Sequence, residues 1–224
     1  MKKYFLALLG VITLSACSND DAPQDATLQI TAGLTETTAA KSLASKGPEN
    51  LKFDTGYVWL IEVVFDGTFS SGEAISKTVA VDSKIDFATG VASPDMADIT
   101  IPAGEYQDVN LGLELRDEDD QPSVVMEGTY TRADATVVPV RFEFNSGEVF
   151  EAETDQTVIV AEEQKVTSKI VFDPDVWFSV VTNEMMENAS ANSEGIIVIS
   201  GSSNAAIFDL VADRLDVSTQ SVFE

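Results

Sequence analysis

Carboxylates are the only abundant side chains in this chain that can do acid–base or ligand chemistry. Aspartate and glutamate together number 38 against 13 lysines and arginines, histidine is absent, and there is a single cysteine, Cys17. Ser-His-Asp and Cys-His nucleophilic catalysis both need an imidazole, so neither is open to this sequence. Structural zinc sites drawn from Cys and His fall on the same ground, and one cysteine cannot close an intramolecular disulfide. Among common enzyme chemistries a carboxylate pair survives, as in glycoside hydrolysis, which needs two acids about 5–9 Å apart. With so many acids some pair will meet that distance by chance, and no local motif nominates one. The chain is therefore expected to be no enzyme and to carry no cofactor; a carboxylate-based glycoside hydrolase ranks third among its readings.

Two short stretches can hold a ligand. Asp117-Glu118-Asp119-Asp120 offers hard oxygen ligands of the kind calcium takes, which makes Asp117, Asp119 and Asp120 candidate metal residues. Consecutive side chains diverge, however, and the glycine and closing glutamate of an EF-hand loop are missing, so a solvated hairpin turn is the plainer reading. Asp173-Pro174-Asp175-Val176-Trp177-Phe178 sets carboxylates beside aromatics. There Trp177 and Asp175 are candidate ligand-binding residues, with a sugar ring against the indole and the carboxylate accepting its hydroxyls. The plainer reading is that Asp173 or Asp175 caps a helix while both aromatics fill the core. Trp59, inside an apolar strand pattern, is expected in the core.

The elements that must carry these residues read mostly as strands. Period-two alternation marks Thr27–Gly33, Tyr57–Phe65, Val109–Arg116, Val138–Phe144 and Lys165–Phe172, with weaker candidates at 76–81, 97–101, 123–131, 147–152 and 156–161. Turn chemistry separates them at Asp66-Gly67, Ser71-Gly72, Pro102-Ala103-Gly104, Asp119-Asp120-Gln121-Pro122 and Asn145-Ser146-Gly147. Pro139 argues for an edge strand or a bulge. After Pro174 the period breaks: 175–190 reads as helical, 195–199 as a short apolar strand. Ser203 or Asn204 then caps a helix with Ile207, Leu210, Val211 and Leu215 on one stripe. The expected fold is mainly β, an antiparallel β-sandwich of about eight to ten strands with one or two short C-terminal helices packed on it. Residues 27–224 form one domain on this reading, with 35–50 a mobile loop or linker and 173–224 the helical portion.

The first residues read as targeting, not fold. Lys2 and Lys3 precede an apolar run of about eleven residues, Tyr4–Leu14, and then Ser15-Ala16-Cys17. That is a secretory signal layout over 1–16, too short to span a bilayer, which takes roughly 20 apolar residues. Leu14-Ser15-Ala16-Cys17 resembles a bacterial lipobox, which implies cleavage before Cys17 and acylation of its thiol, palmitate included. Two or three acyl chains anchor stably where one holds only marginally. Ser18-Asn19-Asp20-Asp21, in a tether over 17–26, resembles the acidic tract that follows the lipidated cysteine in surface-exported lipoproteins of the Bacteroidota. Ile101-Pro102-Ala103-Gly104-Glu105-Tyr106 is similar to a turn of transthyretin-like or fimbrillin-like β-sandwiches in such lipoproteins. There Pro102 ends a strand, Gly104 permits the turn and Tyr106 opens the next strand with a buried ring.

These resemblances imply a lipid-anchored outer-membrane protein facing the cell exterior, and they carry over no catalytic residue. The formal net charge of −25 excludes nucleic acid as a partner and repels anionic lipid surfaces. The expected function is that of a non-catalytic surface lipoprotein, adhesin-like or accessory to an outer-membrane protein complex. A glycan- or calcium-binding surface module is the alternative. An exposed Trp177 in a groove would favour the alternative; a buried Trp177 with a bare strand edge would favour the first.

Overall fold

The computed structural model describes residues 25–35, 47–147, 149–154, 156–215 and 220–223. The signal segment, Cys17 and its acidic tract, and most of the 35–50 stretch lie outside the described residues.

Alternating sequence becomes strands almost wherever it was expected. In chain order they are β1 (Asp25–Leu34), β2 (Leu51–Phe69), β3 (Ala74–Asp86), β4 (Ala92–Ser93), β5 (Ile99–Pro102), β6 (Gly104–Leu115), β7 (Val124–Thr131), β8 (Val137–Phe144), β9 (Val149–Thr154), β10 (Val158–Val160), β11 (Lys165–Phe172), β12 (Ile197–Ile199) and β13 (Gln220–Phe223). Hydrogen bonds link them in the order β12-β8-β7-β2-β6-β9-β13-β11-β1-β5, with β3 and then β4 on the other side of β2 and β10 beside the start of β6.

That path is continuous, yet it cannot be flat. Phe144 on β8 and Phe150 on β9 stand four places apart in the order, roughly 19 Å at ordinary strand spacing, but their ring centroids are 6.2 Å apart. Phe150 in turn meets Phe172 of β11 at 6.1 Å. The strands therefore fold over into two layers around one core, the sandwich that the alternation predicted. The pairing is not wholly antiparallel as expected: β1 with β11, β12 with β8 and β13 with β9 run parallel. Parallel neighbours need long crossovers, so these partners lie far apart in the sequence and leave no local signal.

The long strand β2 is shared between the layers. Its first part, Leu51–Val58, pairs with β7, and its second part, Leu60–Phe69, pairs with β6. The register slips between Leu60 and Glu62 against both β3 and β6. An extra residue at such a bulge bends the strand and inverts which face its side chains take. Val58 and Leu60 are buried before the slip, Val63 and Phe65 after it. The expected turn at Asp66-Gly67 is instead strand interior, where a Cβ on Gly67 would stand 2.8 Å from the Tyr106 ring. Glycine is there for close approach, not for a turn.

The Ile101–Tyr106 turn behaves as its residues suggest. Tyr106 is fully buried, edge-on to Phe65 and stacked 4.4 Å from Phe69, and its hydroxyl donates to the Pro102 carbonyl. A Cβ on Gly104 would strike the Phe69 ring at 2.5 Å.

The C-terminal portion packs on the same core. Asp173 accepts from the Asp175 and Val176 amides and, with Pro174 following, caps α1 (Pro174–Trp177), which runs into a 3-10 turn at Phe178–Val180. Thr182 caps α2 (Asn183–Asn188) by accepting from Met185 N–H. Arg132 from the β7–β8 hairpin donates to the carbonyls of Glu187 and Ala189, which pins α2 to the sheet. Asn204 precedes α3 (Ala205–Ala212) in the left-handed conformation and caps nothing with its side chain. Its amide instead donates to the Ser190 and Val198 carbonyls, tying the preceding loop to β12. Ile207, Val211 and Leu215 are buried as the helical spacing required, whereas Leu210 falls off the stripe and is 39% exposed. Among the described residues, no helix is long and apolar enough to cross a membrane.

Two expectations test this packing. Gly128 on β7 faces Phe53 across the β2–β7 pair, and a Cβ there would sit 1.8 Å from the Lys52 carbonyl oxygen. Gly128→Ala should destabilise the fold by at least about 2 kcal/mol in urea unfolding, because the backbone must part to admit it. Burial first, and then the nearby Asp25 carboxylate, push the Tyr106 hydroxyl up to about 12. A raised phenol pKa leaves stability intact below the unfolded value near 10 and removes it as the pH climbs from about 10 to 12. Tyr106→Phe should therefore flatten the alkaline loss in that window while costing about 1 kcal/mol at neutral pH for the lost hydrogen bond.

Candidate functional site

The acidic turn at Asp117–Asp120 is built around a guanidinium, not around a space for a metal. Arg116, at the end of β6, is nearly buried and donates to the Glu118 carbonyl at 2.8 Å and to Asp119 Oδ2 at 2.7 Å. Asp119 and Asp120 both take left-handed backbone, φ 60 and 51, which short carboxylate side chains tolerate. The Asp117 carboxylate lies against Gly147, where a Cβ would stand 2.7 Å from its Oδ2. Asp117, Asp119 and Asp120 thus do not converge, and among the described residues no group of three or more acidic, histidine or cysteine side chains is placed to hold a metal ion. The positive charge that such a turn calls for is supplied in the chain.

Of the two tryptophans, Trp177 fills the core as the plainer reading of its segment had it, and Trp59 does not. Trp177 is wholly buried, 0% exposed, with its ring edge-on to Phe172 at 5.7 Å. Its Nε1 finds no hydrogen-bond acceptor among the described residues. Asp175 sits in the first turn of α1 and lines, with Phe53 and Phe178, a crevice of only about 20 Å³. That space has room for about one water molecule and none for a sugar ring. Trp177 and Asp175 therefore form no platform for a sugar ring.

Trp59, expected in the core, lies half-exposed on the outer face of β2, since it precedes the bulge and takes the face opposite to Val63. Its indole N–H donates to Asp82 at 2.9 Å. Lys84 from β3 and Arg116 from β6 each approach the ring to 4.0 Å of its centroid. Lys84 also lies 4.5 Å from the Tyr57 ring, and the Tyr57 hydroxyl donates to the Pro122 carbonyl. Burial raises the Tyr57 hydroxyl above its usual range; Arg141 pulls it down, and Glu143 and Glu127 push it up. The cluster is a cation–π clamp that joins β2, β3 and the acidic turn. The cations occupy the ring that a sugar would need.

Among the described residues, a long stretch of open strand edge lies on the outer side of β3. Along one side β3 pairs with β2 from Ala74 to Asp86, but on the other only Lys84 and Ile85 have partners, in β4. The Phe69 N–H donates to the Glu73 carbonyl, which sets the alternation of the hairpin. Ala74, Ser76, Thr78 and Ala80 consequently turn their backbone N–H and C=O groups away from β2, and no described residue pairs with them. All four are exposed. Lys77, on the inner face of this edge, is also exposed, a common device against indiscriminate pairing. In the sequence 76–81 reads as one of several weaker strand candidates; only the lack of a neighbour among the described residues makes it an edge.

The acidic turn supplies its own test. Arg116→Ala should lower stability by about 2 kcal/mol in urea unfolding, since it removes both the ring contact and the charged hydrogen bonds that shape the turn. Millimolar calcium should leave the melting temperature of the unsubstituted protein unchanged; a calcium-dependent rise would mean that Asp117, Asp119 and Asp120 do gather around an ion. Compared with protein-family models, with curated proteins and with solved structures, the chain matches none.

Proposed function

We propose that this chain is a non-catalytic lipoprotein, anchored through Cys17 in the outer membrane and facing the cell exterior, that holds a protein partner along the open edge of β3. An accessory subunit of an outer-membrane complex and an adhesin-like subunit both fit this description. The observation that carries the reading is the bare, exposed edge from Ala74 to Ala80, combined with a Trp177 sealed in the core. Free backbone donors and acceptors in a row are what an extended segment of another chain pairs with. The lipobox-like Leu14–Cys17 and the acidic Ser18–Asp21 support the anchor and its outward face.

The geometry near the tether suits such a role. Asp25 begins β1 opposite Pro102, and Ser70 at the tip of the β2–β3 hairpin donates to the Glu105 carbonyl just beyond that turn. The start of β3 therefore lies at the end of the sandwich from which the chain runs back to Cys17. A tether from Cys17 to Asp25 reaches at most roughly 30 Å. A membrane-bound partner would meet the edge within that reach.

A photoreactive side chain at Thr78 in native cells is the direct test. Irradiation should give one dominant adduct with an outer-membrane protein, and the adduct should vanish when Ser76→Pro is added. The Ser76 N–H points away from β2, so proline there removes an outward donor without breaking the internal ladder. Irradiation that yields no adduct, or adducts unchanged by Ser76→Pro, would refute strand addition at β3.

A further inference from the structure

Both ends of the open edge are flanked by acidic surface, where Lys165 pairs with Asp98 at 3.7 Å. At the Ala74 end, a groove of about 690 Å³ runs over the outer face of β2, β6 and β3 and is lined by Asp66, Asp108, Asn110 and Glu153 beside Ala74 and Ser76. At the Val81 end, a slot of about 480 Å³ is lined by Ile30, Val63, Val81 and Met96 together with Asp95 and Asp98. Among the described residues that line them, neither contains a lysine or arginine.

The same imbalance runs beneath the edge. On the outer face Glu62 of β2 stands directly opposite Glu114 of β6, and Asp66 stands opposite Asn110, which in turn faces Glu153 of β9. Like charges directly across a pair destabilise a sheet, so Glu62 and Glu114 are held together at a cost. Asn110 adds an enclosed Oδ1 that accepts no hydrogen bond from the described residues.

The edge itself leaves a path to these acids. Ser76 is paired with Asp66 and Ala80 with Glu62, and the outer-face side chains of β3 are the small Ala74, Ser76, Thr78 and Ala80. A strand added beyond β3 would lie about 10 Å from β2, two strand spacings away. A lysine or arginine on its outer face can lie across the small side chains and bring its charge to Asp66 or Glu62.

From this arrangement we infer that the segment received by β3 is an extended strand of a different protein, with lysine or arginine on its outer face and an apolar residue on its inner face for the slot beside Val81. The inference rests on the strand-addition reading above and names the chemistry of its partner. Charge complementarity also excludes a second copy of this chain as the occupant. Two molecules with a formal charge of −25 each would repel along this face.

The test uses the full-length lipoprotein in detergent micelles and three labelled peptides, alternating valine with lysine, with threonine or with glutamate. The valine–lysine peptide should bind at least about tenfold more tightly than valine–threonine, and the difference should shrink as salt is added. Ser76→Pro should abolish binding of both. Glu62→Gln with Asp66→Asn should bring valine–lysine down to the level of valine–threonine and leave the latter unchanged. Equal binding of the three peptides would overturn the charge assignment while leaving strand addition standing. Valine–lysine binding that survives Ser76→Pro would also overturn it, as charge attraction without the edge. A homodimer in sedimentation that Ser76→Pro dissolves would do the same. If no peptide binds and Thr78 gives no adduct in cells, strand addition itself falls.

Discussion

The bulge between Leu60 and Glu62 is the constraint on which the rest of the structure depends. One long strand serves both layers of the sandwich, pairing with β7 before the slip and with β6 after it. An extra residue at that point bends β2 and changes which of its side chains face the core. Val58 and Leu60 then meet one part of the core, Val63 and Phe65 the other, and Trp59 is left outside. β3 pairs with β2 across this slip, and its far edge has no described neighbour over Ala74–Ala80.

Charge is distributed with the same economy. Several of the basic side chains organise local structure. Arg116 organises the acidic turn, Arg132 holds α2 against the β7–β8 hairpin, and Arg141 pairs with Glu127 and Glu143 on the outer face of β7 and β8. Lys84 lies against Tyr57 and Trp59. None of these reaches the Glu62–Asp66–Glu153 face. Exposed ion pairs of this kind contribute little to stability individually. Their arrangement matters for what they leave uncompensated, the carboxylates of Glu62, Asp66 and Glu153 on the outer face.

With no disulfide available, a single aromatic-rich core holds the layers together. Phe142, Phe144, Phe150, Phe172 and Trp177 form a chain of ring contacts that passes from β8 through β9 and β11 into α1, partly by way of Phe178 and Phe208. The C-terminal helices belong to this core, since Phe178, Met186, Ile207 and Val211 are buried within the same cluster as the strands. The Trp177 N–H, without an acceptor among the described residues, is the cost of that placement, offset by the large apolar surface the indole removes from water.

The sequence by itself determined the local elements: the strands, most of their turns, the Tyr106 corner, the Asp173 cap and the short helices near the C-terminus. Each depends on residue type and spacing within a few positions, where alternation, proline, glycine and capping side chains act directly on the backbone. Only the tertiary structure decided the two tryptophans, the acidic turn and the open edge. Alternation through Tyr57–Phe65 is apolar on both faces, so it carries no mark of the slip that puts Trp59 outside. Trp177 goes inside because Phe172 meets its ring. Arg116 precedes the Asp117–Asp120 run in the sequence, yet only the bend of the hairpin brings its guanidinium onto Asp119. Whether β3 has a neighbour along Ala74–Ala80 depends on where the other strands pack, and periodicity within β3 is the same in either case.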